Sequence, residues 1–193
     1  MARRIALDTN ILSHALGVRR VDVTSEWRQR AQACQQFISK NRDLCIPAPA
    51  LTEALRTAPA EEQAELLKLA ESVRTLALTV HGSVLAGRLL ARLDGAKDAC
   101  PRCHEPMSSS ACSKCGRMRA PSSKVVDAQI AGCVLSQAGE WIIYSYDVRH
   151  FAPLLAGQTR VTVSEPPSYV SSAPLLDFIE NQPSTEESDE GTP

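Results

Sequence analysis

Residues 4–16, RIALDTNILSHAL, decide the reading of the fold. RIALD (4–8) is a short, largely apolar run ending in Asp8 and reads as a buried strand. From Asn10 the apolar positions take helical spacing, and that pattern stops at Gly17. A strand that passes directly into a helix opens a β–α unit. Leu44-Cys45-Ile46, closed by Pro47, repeats the pattern and leads into a helix over 49–57, with Pro49 suited to its first turn. Trp141–Tyr144 repeats it again, with Asp147 just beyond and a short helix near 149–155. Residues 74–79 and 161–163 add two further strands. Between them lie a helix capped by Thr24 or Ser25, with Trp27, Ala31, Cys34, Phe37 and Ile38 on one face, and helices near 60–73 and 80–94. Another runs from Ser122 or Ser123 and closes at Gly139. Strands alternating with helices imply an α/β fold with a mainly parallel sheet.

Working outward, 193 residues suffice for one domain with a real core and a small appendage. Apolar residues make up 44% and charged residues 22%, which excludes fibrous and wholly disordered classes. No apolar run is long enough to span a membrane, and the amino terminus does not read as a secretory signal, so the cytoplasm is the expected location. The net charge of −1 hides an asymmetry. Six acids and no Lys or Arg lie in 177–193, which leaves the rest of the chain at +5. Residues 88–124 hold eight bases against three acids, a local +5 able to attract phosphates or simply to form a solvated surface.

In open parallel sheets, ligands bind beyond the carboxyl ends of the strands. Asp8 and Asp147 both fall there, Glu53 lies in the helix after the second strand, and Asp127 lies early in the helix before Trp141. Clustered carboxylates repel unless a cation joins them, and oxygen ligands suit Mg²⁺ or Mn²⁺. Such an ion acidifies a bound water and steadies charge on a phosphoryl oxygen, the chemistry of phosphodiester hydrolysis. Each acid also has a local role open to it. Asp8 and Asp147 can cap helices, Asp127 can serve a helix dipole, and Glu53 can be an exposed helix charge.

The segments ALDTNIL (6–12), LTEALR (51–56), VVDAQIAGCVLSQAG (125–139) and IIYSYDVRHF (142–151), taken in order, resemble the PIN-domain ribonucleases, especially the VapC-type toxins of toxin–antitoxin modules. The resemblance implies a PIN-like α/β/α sandwich and a Mg²⁺- or Mn²⁺-dependent endoribonuclease. It implies that Asp8, Asp127 and Asp147 hold the metal, directly or through water, and that Glu53 is a further ligand or positions the attacking water. Asn10 and Ser145 would orient these carboxylates, or serve only local turns and caps. Arg149, beside Asp147, can meet an RNA phosphate or form an ion pair. RNA is the implied substrate, with an antitoxin partner and a homodimer as further expectations. The alternatives are a catalytically idle RNA- or protein-binding module and a DNA-directed nuclease.

Cys100-Pro-Arg-Cys103 and Cys112-Ser-Lys-Cys115 form two CxxC knuckles eight residues apart, spacing suited to a structural Zn²⁺ site. A redox CxxC is the alternative. Residues 96–121 thus read as a zinc-binding insertion in a nuclease-like domain spanning 1–165, with a Pro/Ser/acidic tail at 166–193. Arg102, Lys114, Arg117 and Arg119 decorate the insertion and make it a candidate RNA-contacting flap. A stability clip or a protein-docking knob is the other reading. Cys34, Cys45 and Cys133 lie in apolar segments and read as small buried hydrophobes.

Overall fold

A computed structural model of the chain describes residues 3–17, 23–94, 103, 113–115 and 124–168. The expectations for Cys100, Cys112, Arg102, Arg117, Arg119 and the acidic tail beyond 168 lie outside the described residues.

Five strands form one sheet: β1 (Arg4–Leu7), β2 (Leu44–Pro47), β3 (Arg74–Leu76), β4 (Trp141–Tyr144) and β5 (Val161–Ser164). Their order is β3-β2-β1-β4-β5, and every pairing is parallel. The expected mainly parallel sheet is thus parallel throughout. β1 lies at its centre, with Ala6 opposite Cys45 on one side and Ile143 on the other. Strands covered on both faces read as continuous apolar runs rather than alternating ones. β2 meets that pattern, with all four residues buried. β3 is shorter than the 74–79 expected, and only Leu76 of it is buried.

Among the described residues, seven helices cover the sheet: α1 (Thr9–Leu16), α2 (Ser25–Lys40), α3 (Ala48–Thr57), α4 (Ala60–Ser72), α5 (Val80–Asp94), α6 (Val125–Leu135) and α7 (Val148–Leu154). Thr24 caps α2 by accepting from the Trp27 N–H, and Thr79 caps α5 by accepting from the Gly82 N–H. Pro49 sits in the first turn of α3, where its missing N–H costs nothing.

The deepest helix is α6. Ala128 and every residue from Ile130 to Leu135 are buried, so it has no polar face. It crosses α5 closely because glycines meet at the contact. A Cβ on Gly132 would land on the Gly82 carbonyl oxygen. α6 ends at Leu135, earlier than the Gly139 boundary expected. Gly139, at φ 89°, instead lets the chain turn into β4. Cys34 and Cys133 are fully buried in the core, and burial pushes both thiols up to about 11. They are packing residues, as expected.

Candidate metal centre

β1 and β4 are neighbours in register, so Asp8 and Ser145 leave the sheet side by side at its carboxyl edge. Asp8 is buried, and so is Ser145. Asp8 follows β1 and caps α1, its Oδ1 accepting from the Thr9 N–H at 2.7 Å. The capping role and the site role therefore coincide in one side chain, because a carboxylate has a second oxygen. That oxygen, Oδ2, accepts from Ser145 Oγ at 2.6 Å and from Asn10 Nδ2 at 2.8 Å.

Asn10, on the first turn of α1, joins the two strands. Its Nδ2 also donates to Ser145 Oγ at 3.1 Å and to Asp147 Oδ2 at 3.3 Å, while its Oδ1 accepts from the Tyr146 N–H. Asp8 and Asp147, 139 residues apart in sequence, thus share one amide nitrogen. Ser145 uses its full hydrogen-bonding capacity. Its hydroxyl donates to Asp8 and accepts from Asn10 and from the Asp147 N–H at 2.9 Å. The purely local reading of Asn10 and Ser145 gives way to one in which both tie carboxylates together across the sheet.

Asp147 stands at the N-cap position of α7 yet makes no side-chain capping bond, so its carboxylate is directed to the cluster instead. Asp127 lies in the first turn of α6, and its Oδ2 is 3.9 Å from His150 Nδ1. Glu53, on α3, accepts from Thr9 Oγ1 at 2.8 Å. Thr9 and His150 were absent from the sequence reading. Their only sequence signals are proximity to Asp8 and Asp147, which gives no direction. Arg149 is exposed.

The charges feel one another. Burial pushes the Asp8 carboxyl up to about 7, against the opposing pull of the Ser145 and Thr9 hydrogen bonds, and the charges of Asp127 and Asp147 add to the rise. Burial likewise raises Asp127. There, His150 and Lys124 pull down, while Glu53 and Asp147 push up. All four expected carboxylates therefore gather at one edge of the sheet. Among the described residues, no three His, Cys, Asp or Glu side chains are disposed to hold one ion directly. Asp8, Asp147 and Glu53 are instead held by amide and hydroxyl donors, and Asp127 lies beside His150.

Of the insertion, Cys103 and Cys115 are described, and their sulfurs lie 3.8 Å apart. That is too long for a disulfide. It matches the edge of a tetrahedron with Zn–S bonds of about 2.3 Å.

No family model matches the chain, and no curated protein matches it. Solved structures do. A chain of the DNA-bound VapBC structure from Salmonella typhimurium is 15% identical, with a TM-score of 0.53, covering 86% of this chain and all of that one. A chain of VapBC2 from Rickettsia felis, bound to a DNA fragment from its promoter, is 12% identical at a TM-score of 0.49, covering 83% and 97% respectively. The Salmonella likeness is one of fold. No helix among the described residues is long and apolar enough to cross a membrane.

Proposed function

We propose that the chain is a VapC-like, Mg²⁺- or Mn²⁺-dependent endoribonuclease that hydrolyses RNA phosphodiester bonds at the carboxyl edge of its sheet. The observation that carries this reading is the Asp8–Asn10–Ser145–Asp147 network, with Glu53 and Asp147 close enough to Asp127 that their charges push its carboxyl up.

The donor set fits a hard cation. It is all oxygen, and burial, with the charges of Asp127 and Asp147 beside it, pushes its most buried member, Asp8, up to about 7. Mg²⁺ keeps several waters and commonly takes only one or two protein carboxylates directly. Asp8, Asp127 and Asp147 would hold it, some through water. When bound, the ion would lower the pKa of a coordinated water and stabilise charge on the phosphoryl oxygens. Asn10 and Ser145 would keep the Asp8 and Asp147 carboxylates from swinging apart. Glu53, which accepts a hydrogen bond from Thr9 Oγ1, would orient the attacking water. Arg149 is exposed two residues beyond Asp147 and can meet a phosphate of the bound strand.

The insertion at 96–121 completes the proposal as a structural Zn²⁺ knuckle of Cys100, Cys103, Cys112 and Cys115. The 3.8 Å sulfur separation between Cys103 and Cys115 supports it. Lys114 is exposed, and with Arg102, Arg117 and Arg119 it would form the RNA-contacting flap. A cognate antitoxin chain is the proposed partner, and a homodimer the proposed assembly.

The test is direct. Purified protein is incubated with a structured RNA and with DNA of matched sequence, in Mg²⁺, Mn²⁺ or EDTA. RNA cleavage that needs the metal and is lost in Asp8→Asn and Asp147→Asn supports the reading. Cleavage of DNA alone, or cleavage unchanged in both variants, overturns it.

A further inference from the structure

The edge of the sheet opposite the acids carries a groove of about 380 Å³. Its walls are one face of α5, the carboxyl end of α6 and the turn that enters β5. His81, Arg88 and Arg92 line it from α5, and Gln158 and Arg160 from the turn, over a floor that includes Leu135. Arg88 and Arg92 are one helical turn apart, and His81 lies two turns before Arg88, so the three share a face of the helix. Among the described residues, no Asp or Glu lines the groove. Among the described residues, none of the three arginines lies within ion-pair distance of a carboxylate.

Backbone contacts account for only part of this arrangement. Like charges one turn apart on a helix destabilise it by a few tenths of a kcal/mol. Arg92 spends one donor on the Leu154 carbonyl at 3.1 Å, and Arg160 spends one on the Gln137 carbonyl at 3.4 Å. Each guanidinium carries five donors, so most remain for an anion. Arg88, the central member, is exposed. Arginine forks match phosphate oxygens better than lysine does. The acidic cluster lies elsewhere. Asp127 starts α6 and Leu135 ends it, eight residues or about 12 Å along the helix axis. A single phosphate cannot serve both places, whereas a polynucleotide can.

We propose that the Arg88–Arg92–Arg160 groove binds phosphate groups of RNA remote from the acidic edge and so anchors a structured RNA across the molecule. This shares the RNA substrate of the nuclease reading but none of its metal chemistry. The same donors would also accept the phosphates of a free nucleotide, so the experiment separates the two sources.

Full-length wild type, Arg88→Gln/Arg160→Gln and Arg88→Lys/Arg160→Lys are compared by fluorescence anisotropy with a labelled RNA hairpin, in EDTA, from 50 to 300 mM KCl. ATP and inorganic pyrophosphate serve as competitors, and melting temperatures check the fold. The Gln pair is expected to bind RNA at least tenfold more weakly at 100 mM KCl. Its plot of log affinity against log salt should be shallower by about 1.5–2, two phosphate contacts having been lost. The Lys pair is expected to keep most of the salt dependence. RNA affinity and slope unchanged in a folded Gln pair would overturn the anchor. Tight ATP binding lost in the Gln pair, with RNA affinity unchanged, would reassign the groove to a free nucleotide and overturn the RNA claim. Metal-dependent cleavage with no effect of the arginines sinks the groove alone. Weakened binding in the Gln pair of a protein that cuts nothing sinks the nuclease reading alone.

Discussion

Replacing Asp8 by Asn should change how stability depends on pH. The folded Asp8 carboxyl holds its proton to about pH 7, whereas an unfolded chain releases it near 3.8. Between those values the folded state binds more protons, so stability falls as pH rises through the window. Below about pH 4 this cost vanishes, and above about pH 7 it is complete, at roughly 4 kcal/mol. From pH 5 to pH 8 the wild type should therefore lose about 2–3 kcal/mol through this one group, or roughly 5–10 °C in melting temperature for a chain of this size. Asp127, also raised by burial, adds loss of the same sign. In Asp8→Asn the Asp8 contribution disappears. The amide brings its own cost, because its NH₂ must face either the Thr9 N–H or the Asn10 amide, at about 1–2 kcal/mol whatever the pH. The measured quantity is thus the difference in melting temperature between variant and wild type at pH 5 and at pH 8, in EDTA. That difference should shift toward the variant by most of the expected amount. Adding Mn²⁺ at pH 8 should then raise the wild-type melting temperature and leave the variant nearly unmoved. Parallel curves for the two proteins from pH 5 to pH 8 would refute the reasoning, and Asp8 would be an ordinary helix cap.

Other consequences are open to measurement. Ser145→Ala removes three hydrogen bonds around a buried position and should cost about 2–3 kcal/mol in urea unfolding. Ser145→Thr, which keeps the hydroxyl, should retain more of the RNA cleavage than Ser145→Ala does. Gly132→Ala forces α6 away from α5 and should cost about 1–3 kcal/mol, while Gly87→Ala, which meets open space, should be neutral or slightly stabilising. Equal effects of the two would show that the close helix contact is wrong. Protein purified without chelators should carry one zinc per chain by mass spectrometry of the native protein, and Cys103→Ser should lose it.

How much of this was legible in the sequence follows from where the information lies. β1, β2 and β4 announce themselves because a strand covered on both faces must be apolar along its whole length. β3 was overextended because it is an edge strand with little burial, so the residues after Leu76 carry no pattern to stop it. The carboxyl end of α6 is hard to place from sequence because every residue from Ile130 to Leu135 is buried, so the periodicity there carries no phase. The four carboxylates were found from strand ends and order. The roles of Asn10 and Ser145 were not decidable then, since a short polar side chain beside a cap makes the same local pattern whether or not it bridges to another strand. Thr9 and His150 depend on how α1 meets α3 and how α7 meets α6, which no spacing within one segment reports.

The central position of β1 has a consequence for how this molecule comes into being. Asp8 is synthesised well before its partners Ser145 and Asp147, which follow more than 135 residues later, and β1 cannot complete its second border until β4 exists. The unfinished polypeptide therefore carries an unpaired strand edge and half of a pocket. A chain halted by a stop codon before residue 141 would lack β4 and be prone to clump or be degraded.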